Sequence, residues 1–135
     1  MNSPEDTGAP TPPAPVPGET WNLFELAKGD SDFVTMIGDY GVDPDGPALP
    51  PLLENLSLHF WRLRPGQTDD QTPHKQDEAY YVVAGSGSIT VNGQHYALKP
   101  GDLVFVPRCA EHRFHDFDQE GITLLVFFAP NFTGP

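Results

Sequence analysis

Ser88-Ile89-Thr90-Val91-Asn92-Gly93-Gln94-His95-Tyr96-Ala97-Leu98 reads as two short strands joined by an Asn-Gly turn. Asn and Gly tolerate the positive φ angles that a two-residue hairpin turn demands, and the flanking runs carry β-branched and aromatic side chains. Runs of the same kind stand on either side: Leu56–Leu63, Ala79–Ala84, Leu103–Val106, His112–Phe117 and Ile122–Phe128. Pro65-Gly66, Gly85, Gly87 and Pro100-Gly101 punctuate them. Short strands with turns at this spacing predict an all-β barrel or sandwich. The 16 prolines and 13 glycines argue against a helical bundle.

Toward the N-terminus the signals thin out. Phe33–Ile37 reads as a further short strand, and Trp21–Lys28 as a short helix ended by Gly29. Trp21, Phe24 and Leu26 are too few apolar residues to sustain that helix alone, so it must pack on something else. Gly41, Pro44, Gly46, Pro47, Pro50 and Pro51 mark a loop. Met1–Thr20 holds six prolines and little to bury apart from Val16, which predicts a disordered tail. The expected organisation is a proline-rich tail over 1–20 and one folded domain over 21–135.

The 135 residues suit one domain, and 38% hydrophobic residues can fill its core. Nineteen acids against seven bases leave a net charge of −12, which repels phosphate backbones and anionic lipid, so neither nucleic acid nor membrane is an expected partner. No apolar run nears the roughly 20 residues of a bilayer span. Cys109 is the only cysteine, which excludes an internal disulfide, and the first twenty residues lack a basic start and apolar stretch. A cytoplasmic protein is the expectation.

Two spaced motifs carry the functional reading. In the first, Gly66 is followed after five residues by Thr72-Pro73-His74, after three more by Glu78 and after six more by Gly85. In the second, Gly101 is followed after five residues by Pro107, then by Cys109, His112 and Asp116. Together they resemble the two motifs of the cupin family of small β-barrels, over roughly residues 56–128, and the stretch between Gly85 and Gly101 matches the family's compact spacing. The resemblance implies an antiparallel double-stranded β-helix, the cupin or jelly-roll barrel, preceded by the short helix. It also implies a homodimer. The sequence departs from the pattern at Thr72, where the family has its first His, at Cys109 for a Gly and at Asp116 for an Asn. The family's metal ligands carry over only to His74, Glu78 and His112.

Spacing bears on the same residues. On one straight strand, four residues at ~3.3 Å each put His74 and Glu78 about 13 Å apart, too far for one ion. A helix would bring them together, but Ala79-Tyr80-Tyr81-Val82-Val83 is strand-like. A tight turn at Lys75-Gln76-Asp77 remains, with His74 ending one strand and Glu78 opening its neighbour. His112 follows a second turn, Arg108-Cys109-Ala110-Glu111, and approaches from another strand. Two imidazoles and a carboxylate suit a divalent transition metal, Fe(II) foremost with Mn(II), Ni(II) or Zn(II) as competitors. The set leaves up to three octahedral positions open, enough for a small organic substrate and O₂. A dioxygenase is the leading expectation. The alternatives are a lyase or isomerase on the same ion, or a non-catalytic module that binds a small ligand.

Strand parity sorts the remaining candidates. Tyr80 and Val82 share the interior face with Glu78, so Tyr80 can hydrogen bond a ligand or move a proton. His59 shares a face with Ser57 and Trp61 and is the candidate general acid or base. Thr72 is read as a hydrogen-bonding neighbour of the ion or a filler, and Gln76 as a turn residue within reach of the pocket. His115 has the opposite parity to His112 and faces away, and His95 is expected to be exposed. Cys109 is expected to be half-buried in its turn, and Phe105, Phe114, Phe127 and Phe128 are expected to pack the barrel. Asp69, Asp70, Asp77 and Glu111 form an expected solvated acidic rim.

Overall fold

The computed structural model describes residues 17–37, 56–71 and 73–129. The proline-rich stretch up to Val16, the loop spanning Gly41–Pro51 and Thr72 lie outside the described residues. Among the described residues one helix, α1 (Leu23–Lys28), precedes eight strands: β1 (Phe33–Ile37), β2 (Ser57–Leu63), β3 (Asp77–Gly85), β4 (Gly87–Val91), β5 (Gln94–Leu98), β6 (Leu103–Val106), β7 (His112–His115) and β8 (Ile122–Ala129). The expected hairpin is present as β4 and β5. Asn92 and Gly93 take φ of 46° and 83°, and Val91 faces Gln94 across the turn.

All strand pairs are antiparallel and fall into two sheets, a five-stranded one ordered β1-β2-β8-β3-β6 and a three-stranded one ordered β5-β4-β7. Among the described residues no ladder joins the two, so the expected closed barrel takes the form of two facing sheets. Register aligns the interior side chains. Glu78 lies opposite Phe128 and Val106, and Tyr80 opposite Val126 and Val104, while His59 pairs with Val126 from the other side. Between the sheets sit Trp61, Tyr80, Val82, Ile89, Phe114, Ile122, Leu124, Val126 and Phe128, all buried. Removing each large apolar side chain from water contributes about 1.5–3 kcal/mol, and this core is the main source of stability.

The five-stranded sheet is also covered on its outer face. Met36, Phe60, Val83 and Leu125 form a second cluster, against which Trp21, Leu23, Leu26 and Ala27 of the helical segment pack. The helix starts at Leu23 because Asn22 is its cap, the Asn22 Oδ1 accepting the Glu25 N–H at 3.0 Å. Its other end is held by Arg62, a buried residue of β2 whose guanidinium donates to the carbonyls of Ala27 (2.6 Å) and Gly29 (2.8 Å). Those carbonyls belong to the last turn, where a helix leaves its acceptors unpaired. β1 pairs with β2 and so extends the sheet at its edge. Phe105 departs from expectation: it is 64% exposed, beside Leu103 at 66%, because both point outward from edge strand β6, beyond the helix's cover.

Gly121 enters β8 at φ +77°, and a Cβ there would lie 2.1 Å from the Leu63 carbonyl oxygen. Backbone cannot yield as a side-chain tip can. Gly121→Ala should therefore cost about 3 kcal/mol or more, combining left-handed strain with a forced shift of β2. Urea unfolding monitored by Trp fluorescence would measure it; an unchanged midpoint would contradict this packing.

Candidate metal centre

Glu78 reaches the interior because it is the second residue of β3, on the same face as Tyr80. His112 opens β7 in the opposite sheet. His74 does not end a strand, as the spacing argument expected; it lies in the connection between β2 and β3. That connection is pinned instead by a hydrogen bond from the Cys109 N–H to the His74 carbonyl at 2.6 Å, which ties it to the turn ahead of β7. His74, Glu78 and His112 are all buried, and one ligand atom of each falls within 4.8 Å of the others.

The separations suit one ion. His112 Nε2 stands 3.2 Å from Glu78 Oε2, and His74 Nε2 3.5 Å from Glu78 Oε1. Donors about 2.1 Å from a metal are about 3.0 Å apart along an octahedral edge and about 3.4 Å along a tetrahedral one. The tautomer of His112 also fits. Its Nδ1 lies 2.9 Å from the Ala110 carbonyl, which can only accept, so Nδ1 carries the proton and Nε2 turns a lone pair inward. Glu78 Oε1 accepts no hydrogen bond among the described residues although it is buried, and such an orphaned carboxylate oxygen calls for a cation or proton donor. This donor set fits a divalent transition metal.

Tyr80 is fully buried and central. Its hydroxyl donates to Glu78 Oε2 and stands 3.2 Å from His112 Nε2. Burial, and then the Glu78 charge, push its pKa well above the ordinary phenol range, so it stays a neutral donor. Burial lowers the His74 pKa, the Glu78 charge only partly opposing it. For His112, burial works downward too, but the hydrogen bond and charge of Glu78 with the Ala110 carbonyl outweigh it and the net direction is up.

Two residues near the ligands carry no motif. The Gln71 Oε1 lies 3.1 Å from His74 Nε2 and 3.4 Å from the Tyr80 hydroxyl, while its Nε2 donates to Asp69 Oδ2 at 2.8 Å. Asp69 is 4% exposed, which corrects its expected place in a solvated rim. Its carboxylate also accepts the Phe114 N–H of β7 at 2.9 Å. Asp77 has its own partner, Arg108, and Asp70 and Glu111 are exposed. Gln76 is buried, its Oε1 without a hydrogen-bond partner among the described residues. Cys109 is exposed rather than half-buried and holds φ +64°, a backbone state that explains why glycine would suit this turn. His115 faces away as parity predicts, paired to Thr90 Oγ1 (2.7 Å) and Asp116 (2.8 Å), and His95 is exposed.

His59 is enclosed between Phe33 and Phe128, at ring-centroid distances of 5.3 and 5.5 Å, and neither ring nitrogen has a hydrogen-bond partner among the described residues. Desolvation lowers its pKa from 6.5 to about 4. The unfolded chain takes up this proton below pH 6.5 and the folded one only below about 4, so the stabilisation is present above pH 6.5 and is lost as pH falls toward 4. The integrated effect is about 3 kcal/mol. His59→Leu should flatten this part of the stability–pH curve in urea titrations, and an unaltered slope would show that the ring is solvated.

A cupin-domain family model matches residues 59–128, just over half of the chain. An uncharacterised protein of Streptomyces coelicolor is 40% identical over 87 residues, which cover 64% of this chain and 83% of that one. A 5-aminosalicylate 1,2-dioxygenase of Comamonas sp. is 33% identical over 75 residues, 56% of this chain but only 19% of the enzyme. A solved structure of Bacillus subtilis oxalate decarboxylase, studied for its Mn(II) centres, superposes with a TM-score of 0.53 at 28% identity over 60% of this chain and 22% of that one. With two antiparallel sheets, both motifs in order and a matching family model, the chain belongs to the cupin family.

Proposed function

We propose that this protein is a mononuclear, metal-dependent dioxygenase acting on a small organic substrate, with His74, Glu78 and His112 holding one divalent ion. The observation that carries the reading is the convergence of three buried donors with the His112 lone pair turned inward by Ala110. Fe(II) is the favoured ion, ahead of Mn(II), Ni(II) and Zn(II), because two imidazoles and one carboxylate with open positions are the donor set of non-haem iron oxygenases. When bound, the ion supplies a Lewis acid and a redox centre. Likeness to part of a 5-aminosalicylate 1,2-dioxygenase supports the reaction class. Likeness to a Mn(II) decarboxylase supports a second reading, a lyase built on the same donors.

The chain's own residues divide the remaining work. Tyr80, neutral and bonded to Glu78, holds a proton next to the donors and orients a ligand that reaches them. His59, neutral near pH 7, offers an imidazole lone pair to a ligand extending past Phe128; with so low a pKa it serves as an acceptor and not as a general acid. A groove of about 600 Å³, lined by Gln71, Pro73, Thr90, His95, His112 and His115, touches one of the three ligands, His112, and lies largely on the face of the small sheet to which Thr90 and His115 point. The reading includes a cytoplasmic homodimer, for which Leu103 and Phe105 supply exposed apolar surface.

Protein purified without chelator and reconstituted with Fe(II) should retain one equivalent of metal by elemental analysis. His112→Ala should weaken retention by at least about 100-fold while far-UV circular dichroism stays unchanged. The Fe(II) form should consume O₂ with a member of a panel of catechols, diketones, thiols and flavonols. Metal retention without O₂ uptake would favour the lyase, and absence of metal would remove both.

A further inference from the structure

We propose that the side-chain amide oxygen of Gln71 is a fourth donor to the ion, supplied from one residue before the place where Thr72 has replaced the family's first histidine. The inference rests on the triad reading and adds a residue to it. Gln71 Oε1 stands 3.1 Å from His74 Nε2, the separation of neighbouring donors about 2.1 Å from a common ion. It also lies 3.4 Å from the Tyr80 hydroxyl, which itself touches Glu78 and His112. The oxygen therefore lies beside one ligand atom and beside the hydroxyl that touches the other two ligands.

Its orientation is set and not free. An amide side chain can present either its oxygen or its NH₂ group, and which one points inward follows from the partners of the other. Here the NH₂ group donates to Asp69 Oδ2 at 2.8 Å. An ionised carboxylate only accepts, so flipping the amide would set two oxygens against each other. Asp69 is in turn fixed by the Phe114 N–H at 2.9 Å and the Gln71 N–H at 3.2 Å. A buried carboxylate with three such bonds is a positioning residue for the amide.

Charge logic points the same way. Without an ion, a proton on His74 Nε2 can fill the gap to Gln71 Oε1. Once that nitrogen gives its lone pair to a metal, two acceptors face each other at 3.1 Å, an arrangement that is favourable only with a cation shared between them. A neutral oxygen also leaves the site charge at +1, as the triad alone does. The donor count of the usual four-ligand site is thereby kept, with an oxygen in place of one nitrogen.

The test uses the Co(II)-substituted protein, whose visible ligand-field bands report donor number and type, together with Co(II) affinity from competition with a chromophoric chelator. Gln71→Leu should weaken Co(II) by about 10–100-fold and alter the band positions. Gln71→Glu, which keeps an oxygen for the ion but loses the bond to Asp69, should retain more Co(II) than Gln71→Leu and show shifted bands. Asp69→Asn should lie between, because the amide is then free to flip. If Gln71→Leu and Gln71→Glu both match the unaltered protein in affinity and spectrum while His112→Ala loses the ion, Gln71 is no ligand and the triad stands alone. If the unaltered protein takes up no Co(II), the triad reading fails and this inference with it.

Discussion

The site depends on how a connection without strand structure is held still. His74 sits on a stretch with no ladder to define it, yet its ring must meet Glu78 from one sheet and His112 from the other. Two tethers do this: the Cys109 N–H on the His74 carbonyl, and the Phe114 N–H on the Asp69 carboxylate. Both run to the segment that delivers His112, so the two imidazoles are positioned by a common support. A neutral hydrogen bond contributes about 1 kcal/mol net and one to a charged acceptor about 1.5–3, together enough to offset the entropy of ordering about two loop residues.

Gathering acceptors in a dry interior is costly without a cation. Among the described residues Glu78 Oε1 has no hydrogen-bond donor, the Ala110 carbonyl holds His112 in the tautomer that offers a lone pair, and Tyr80 gives its one proton to the other carboxylate oxygen. This is preorganisation for a positive charge, obtained at the expense of stability in the empty state. The chain's net charge of −12 works in the same direction, drawing cations toward the protein while discouraging polyanions.

Much of this was legible from residues alone, for identifiable reasons. Alternation and the Asn92-Gly93 turn are local signals, and the strands they predict agree with those observed to within about two residues. His74, Glu78 and His112 were legible because motif spacing encodes them. Parity placed Tyr80 and His59 inside and His115 outside. What could not be read was set by distant contacts. Asp69 looks like any acid in a polar loop until Phe114, 45 positions on, arrives to bond it. Gln71 has no period or motif to announce it. Phe105 looks like core, and only the sheet order reveals that it lies on an unprotected edge. His74 lies in an irregular connection, and reach between regular elements alone cannot place such a residue.

Arg62 ties the end of α1 to β2, on the side of the large sheet turned away from the metal ligands. The helix therefore stands at the rear of the molecule, behind the large sheet. A fluorescent reporter attached to an exposed position of that helix, such as Lys28, would leave the chemistry undisturbed.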